Sequence, residues 1–427
     1  MKTTSLKNRL SKGTALFAIF GLMMVGGASS ASAMETLDGN AYIQIIHNAA
    51  DPAAAEVDIY LDGELLLDDF AFRSATPYME VCANTELEVG VAPGTSNGPE
   101  DILVTVPLTL SEDEYYVAIA NGVLDPMSFD ANPDGRDIAF ELFLKTDARS
   151  EGIDPGMVDF FALHGATDAP TVDVIARDVA TLVDDAAYGD ITAYLSVPAA
   201  DYILDVTPGS DNDTVVASFS APLSGLGGGA AVVFASGFLS PESNQNGAPF
   251  GLFAALADGT VIELPALTTA RVQIIHNAAD PAAAEVDIYL GETLTLDDFA
   301  FRAVTPYIDF PANQAVSIGV APGNSTGPGD IIASFDVNLL AAETFVVFAN
   351  GVLDPSMFDP NPDGRDIGFT LWVKENAREM AMDPSTIDLF VVHGITDAPT
   401  VDAVVVPDLT LVDGAAYGDI TDYLTVD

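Results

Sequence analysis

An eighteen-residue stretch, QIIHNAADPAAAEVDIYL at Gln44 to Leu61, recurs unchanged at Gln273 to Leu290, 229 positions later. Two looser copies, LHGATDAPTVDVI from Leu163 and VHGITDAPTVDAV from Val392, lie between and after them. Each copy runs an apolar segment into a His, places an Asp four residues on and a Pro after it, and opens a second apolar run with Val-Asp. The protein has four histidines, His47, His164, His276 and His393, and all four occupy this one position, at spacings of 117, 112 and 117 residues. Self-similarity at a fixed period is the signature of stacked structural units. The units run 34–155, 156–268, 269–384 and a shorter 385–427. Units one and three are near copies, and units two and four resemble each other more than their neighbours, so the chain is a two-unit cassette duplicated once.

The local pattern within unit one has a period of two. Strands are predicted at Tyr42–His47, Val57–Leu61, Leu65–Phe72, Glu86–Val91, Ile102–Leu108, Tyr115–Ala120 and Ile138–Leu144, separated by turns such as Ala92-Pro93-Gly94 and Pro133-Asp134-Gly135. Seven short strands at this spacing predict an all-β chain of tandem immunoglobulin-like antiparallel β-sandwich repeats. Pro52 to Ala55 reads as a turn or a single helical turn. Features that persist between the diverged units one and two, such as Asp68-Asp69 nine residues before Tyr78 and Asp184-Asp185 nine before Tyr194, read as frame: turns, strand ends and packed aromatics. Asp427 falls about three strands into the fourth unit, so that unit is expected to be incomplete and the chain a piece of a longer product, since a short sheet is rarely stable alone.

The first 33 residues read as a secretion signal. Lys2, Lys7, Arg9 and Lys12 form a basic start, Ala15 to Val25 is apolar but too short to span a bilayer, and Ala31-Ser32-Ala33 supplies a small-residue cleavage site. No long uncharged apolar run follows, so no membrane insertion is expected after signal cleavage, and the expected location is secreted, periplasmic or cell-surface. The chain carries 64 acidic side chains against 14 basic ones, four of which belong to the signal. That balance argues against nucleic acid, whose binding depends on Lys and Arg at phosphates, and against an anionic membrane. It fits solubility in a salty medium, or cation capture. A single cysteine, Cys82, excludes an internal disulfide framework.

The pattern IQIIHNAADPAAAEVDIYLDG, with His47, Asp51, Pro52, Val57-Asp58 and Asp62-Gly63, resembles the opening signature of a bacterial family known only as domain of unknown function 4397. Units two and four match at His164 and His393 but lack the closing Asp-Gly. The resemblance covers essentially the whole chain after the signal. It implies secreted or surface-displayed tandem β-domains with no agreed activity and no accepted catalytic residues.

Three motifs could carry chemistry. His47 with Asp51 and Asp58 could hold a metal or act as an oriented base. A catalytic metal needs about three protein ligands, however, and no second His or Cys is near in sequence. Four evenly distributed copies suit a latch, the ring hydrogen-bonding the loop that follows. Gly94-Thr95-Ser96-Asn97-Gly98 and Gly323-Asn324-Ser325-Thr326-Gly327 fit the hydrolase elbow pattern, but that elbow needs a following helix, and Pro99 and Pro328 follow instead; a hairpin loop is expected. The stretch DANPDGRDIAFE fits the spacing of a calcium loop, with Asp130, Asn132, Asp134 and Glu141 as oxygen donors and Gly135 at the sharp turn. Unit three repeats it at Asp359, Asn361 and Asp363 but has Thr370 in place of the glutamate. The strand-like flanks count against an EF-hand, and an Asn-Pro-Asp-Gly turn accounts for the same residues without metal. These seven residues are carried forward as the candidate calcium ligands.

Of the ten bases after the signal, eight pair across the duplication: Arg73/Arg302, Arg136/Arg365, Lys145/Lys374 and Arg149/Arg378. In so acidic a chain each is expected to compensate a nearby carboxylate. Trp372, the lone tryptophan, reads as strand packing. The function expected from the sequence is a non-enzymatic display, adhesion or structural role outside the cell, with no cofactor. The alternative is an extracellular calcium- or glycan-binding module, and an extracellular protein or glycan is the expected partner.

Overall fold

The computed structural model describes residues 39–405 and 409–426; the expected signal, 1–33, lies outside them. Unit one folds into eight strands: β1 Asn40–His47, β2 Glu56–Leu61, β3 Glu64–Ala71, β4 Met79–Cys82, β5 Glu86–Pro93, β6 Val104–Thr109, β7 Tyr115–Asn121 and β8 Glu141–Lys145. They form two four-stranded sheets, β4-β1-β7-β8 and β3-β2-β5-β6. The chain crosses between the sheets after β1, β3, β4 and β6. As a result β1 and β7 run side by side in parallel, while all other pairs in the unit are antiparallel. Between the sheets Ile43, Ile45, Ile59, Leu87, Val89, Val91 and Tyr116 form the unit's core, with Cys82 packed at its margin. Pro52–Ala54 is a single 3-10 turn.

Unit two repeats the plan with ten strands: β9 Met157–Leu163, β10 Val172–Ala176, β11 Ala180–Ala186, β12 Leu195–Pro198, β13 Asp201–Pro208, β14 Ala217–Pro222, β15 Ala230–Ser236, β16 Gly251–Leu256, β17 Val261–Leu264 and β18 Ala266–Leu267. Its sheets are β12-β9-β15-β16-β17 and β11-β10-β13-β14-β18. Unit three reproduces the two four-stranded sheets of unit one. Among the described residues unit four has two two-stranded ribbons, Ile387–Leu389 with Leu424–Val426 and Val401–Val405 with Leu409–Ala415. These are the counterparts of β9/β12 and β10/β11. The chain is a tandem β-sandwich protein, and among its described residues no helix is long and apolar enough to cross a membrane.

The units are joined more closely than beads on a string. Sheet β4-β1-β7-β8 buries both faces. Ile43, Ile45 and Tyr116 point into unit one's own core. Ile46, Val117 and Ile119, on the opposite face, pack against Phe161, Leu163, Val232, Phe234 and Phe253 of unit two. The first cassette is thus a four-layer stack of sheets with three apolar interfaces. Strands buried on both sides read as continuous apolar runs, which is what YVAIA in β7 and VVFA in β15 are. The second cassette does the same: Val346, Phe348 and Ile275 of unit three meet Phe390, Val392 and Ile420 of unit four. Trp372 packs edge-on to Tyr417 across this interface, at 5.2 Å between ring centres.

Candidate functional site

The histidines sit where β1, β9 and their later counterparts end. His47 is 1% exposed, and its Nε2 lies 2.7 Å from the Ala54 carbonyl. A carbonyl only accepts, so Nε2 carries the proton and Nδ1 is the bare nitrogen, which accepts from Ala49 N at 3.3 Å. His276 repeats both bonds with Ala283 and Ala278. His164 and His393 keep the first, to the Pro170 and Pro399 carbonyls, but their buried Nδ1 atoms have no partner. Burial disfavours the charged ring and lowers His47 to about 4; His164 and His276 are lowered for the same reason. The ring therefore closes the loop that follows it, as the sequence suggested, with both nitrogens of His47 held by backbone.

The aspartates are equally occupied. Asp51 caps the 3-10 turn through Ala53 N and, with its other oxygen, takes Leu124 N from the far end of the unit, both at 2.8 Å. Asp58, from Val57-Asp58, accepts from Asp69 N at 2.9 Å. Asp69 sits in a β-bulge at φ 50°, a left-handed conformation that costs energy outside glycine unless it is held. The same bond recurs from Asp185 to Asp173, from Asp298 to Asp287 and from Gly414 to Asp402. The paired motifs Val-Asp and Asp-Asp, far apart in sequence, are thus two halves of one bulge. Ser96, in the hydrolase-like loop, donates to Asp58 and partners Tyr60 rather than a histidine.

The calcium-like loop turns out to face unit two. Asn132 is 5% exposed and spends its amide on the Thr167 and Ala169 carbonyls, at 2.9 and 3.0 Å, while its oxygen accepts from Asp134 N. Asp134 accepts from both Thr171 N and Thr171 Oγ1, at 2.6 and 2.8 Å. Asp130 donates its backbone N–H to Asn244 Oδ1 at 2.9 Å. Glu141 is exposed at the start of β8. In unit three Asn361 and Asp363 make the identical clasp with Thr396, Ala398 and Thr400, and Asp359 is exposed. Among the described residues, the acidic groups whose oxygens approach within 4.8 Å are instead Asp58/Asp68/Asp69 and Asp287/Asp297/Asp298, beside the bulge.

Around this clasp lies a polar seam that the sequence reading missed. Asn48 donates to Asn121 Oδ1 at 2.7 Å and to the Ala235 carbonyl at 3.1 Å. Asn121 donates to the Gly165 carbonyl and to Tyr188 Oη. At Gly165 a Cβ would overlap the Asn48 amide and crowd the Ala235 carbonyl. The signal was present as an alternation, His-Asn in units one and three against His-Gly in units two and four: one unit supplies the knob and the next the hole. Several cations also reach across. Arg136 meets Asp190 and Arg365 meets Asp419, as carboxylate compensation predicted. Arg73 departs from it, binding Ser236 Oγ and the Pro249 carbonyl and covering the Phe253 ring at 4.2 Å. Arg177, 9% exposed, pairs with Asp205 and reaches Ala341 and Glu343 of unit three, so it ties the cassettes together.

No curated protein matches the sequence. Several solved structures align, two of them as follows. One is described as "Alpha-glucan binding by a streptococcal virulence factor", at 10% identity over 45% of this chain and 91% of that one, with a TM-score of 0.14. The other is the Bacillus anthracis TIE protein, at 10% identity over 73% of this chain and 50% of that one, with a TM-score of 0.17. Neither likeness carries an argument at such scores. The family model described as "Domain of unknown function (DUF4397)" matches residues 41–137 and 161–243, one stretch in each unit of the first cassette, and it is the family that the repeated His-Asp-Pro pattern resembles.

Proposed function

We propose that this protein is a non-catalytic scaffold secreted to, or displayed on, the outside of the cell, where its paired sandwiches space or present a binding surface. One observation carries the reading: the side chains best suited to chemistry are already engaged in holding the fold of unit one and its contact with unit two. His47 is held at both nitrogens by backbone, Asp51 and Asp58 fix a cap and a bulge, and Asn132 and Asp134 clasp the next unit. The acidic balance supports an exterior role, since it keeps a long repeat array soluble and apart from its neighbours. The test is protease shaving of intact cells combined with a panel of ester and glycoside substrates. The reading expects release of the chain from the cell exterior or medium and no turnover. Turnover abolished by His47→Ala would overturn it.

A second reading, an extracellular calcium- or glycan-binding module, is favoured by the Asp58/Asp68/Asp69 group and its repeat at Asp287/Asp297/Asp298. A rise in melting temperature with millimolar calcium, lost in Asp68→Asn, would select it.

A further inference from the structure

The three intact sandwiches differ inside. Units one and three close their sheets with residual voids of 10 and 20 Å³, whereas unit two encloses a cavity of 420 Å³ between its sheets. The strand register shows why. Tyr116 in β7, opposite Ile43, has Ala231 at its place in β15, opposite Phe160. Ile45 in β1 is replaced by Ala162 in β9, and Leu144 in β8, opposite Ala118, by Ala254 in β16, opposite Val233. Unit three keeps bulk at these places with Phe345, Ile274 and Val373. Ala162, Ala231 and Ala254 all line the cavity. An aromatic ring and two branched side chains have been removed from one interior in the chain, and the facing sheet has not closed the gap.

The volume is within the range of small-molecule sites and well above the apolar voids that remain empty or take a benzene-sized guest. Val216 and Leu239 line it while about half exposed, so the cavity reaches the surface between them. The walls are almost wholly apolar and include no Lys or Arg. Of the few polar groups, Asp190 is engaged with Arg136 and Ala187 N. His164 also lines the cavity and is 5% exposed, with its Nε2 engaged by the Pro170 carbonyl. An anionic head group would face Asp190 with no cation in the wall to balance it.

We propose that unit two is a binding site for a neutral apolar molecule of long-chain or terpenoid type, whose hydrocarbon body fills the space vacated at Ala162, Ala231 and Ala254. The proposal goes beyond the scaffold reading and does not depend on it. The test uses the full chain, with the neutral dye N-phenyl-1-naphthylamine as fluorescent probe and 1-decanol and decanoate as competitors. Uptake of one dye per chain, displaced at least tenfold more effectively by decanol than by decanoate, is expected. Ala231→Tyr restores the unit-one residue and should weaken dye binding at least tenfold while raising the melting temperature. Ala254→Leu gives the same readout with a smaller side chain, should the tyrosine disturb the fold. Absence of dye uptake, or uptake that both filling variants leave unchanged, would overturn the site; equal displacement by decanol and decanoate would overturn the preference for a neutral ligand.

Discussion

Acidification should loosen the first cassette through His47 well before its carboxylates protonate. The folded ring is held near 4 by burial, against an ordinary value of about 6.5 in the unfolded chain. A depressed folded value means that the unfolded state binds the proton more readily, so the neutral ring's contribution is fully present above 6.5 and is lost as pH falls towards 4. For that pair of values the linkage relation gives a loss of about 2 kcal/mol between pH 7 and pH 5, and about 3 kcal/mol by the time both states are protonated. The assay is urea unfolding of the full chain at pH 7, 6 and 5, followed by tyrosine fluorescence, beside a His47→Gln variant that cannot titrate. The wild type should lose about 2 kcal/mol more than the variant over this range. Equal pH slopes in the two proteins, or a His47 ring resonance that titrates near its ordinary value, would refute the argument that this imidazole is buried neutral between two backbone groups.

Three further outcomes follow from the seam between units. Gly165→Ala should cost about 1–3 kcal/mol by overpacking against Asn48 and the Ala235 carbonyl, read as a lower melting temperature for the first cassette with the second unchanged. Asp134→Ala should cost about 1 kcal/mol by removing the carboxylate that Thr171 N and Oγ1 bond at this exposed edge; the loss should be the same in calcium and in chelator, and a difference would return the loop to the calcium reading. Asp205→Ala leaves Glu343 as the carboxylate partner of the buried Arg177 and should cost about 1.5–3 kcal/mol by removing its charge-assisted bonds to Asp205, read as a lower melting temperature.

Much of the frame was legible because β-structure writes itself into alternation and turns. The 3-10 turn at Pro52–Ala54 and six of the strands of unit one fall where the pattern puts them, to within a few residues at each end. The strand predicted from Ile138 begins only at Glu141, because Ile138 and Phe140 join the parallel crossing with Val123 rather than the ladder. Strand β4, Met79–Cys82, escaped because four residues at a sheet edge are too few to show a period. The pairing of units escaped for a different reason. Continuous apolar runs in β1 and β7 signal two buried faces, but a run gives no hint that the second face meets the next unit rather than solvent-shielding loops.

The candidate site shows the same division. Spacing exposed His47, Asp51 and Asp58 as a set, and the latch geometry followed. The Asp130–Glu141 stretch matched a metal loop because carboxylates and amides that bind cations are also those that bind backbone N–H groups; only the fold shows Thr167, Ala169 and Thr171 in front of them. The cavity was hidden in three alanines, unremarkable until the register sets each against its bulkier counterpart in unit one.

The claim on which all of this rests is that two units fold as one block, and the direct measurement is calorimetry with size-exclusion chromatography on residues 34–155, 156–268 and 34–268. The account predicts a monomeric 34–268 with a single cooperative transition. It also predicts that unit one alone, with Ile46, Val117 and Ile119 uncovered, either fails to fold or self-associates. Two separate units that are each monomeric and melt as they do in the pair would contradict it.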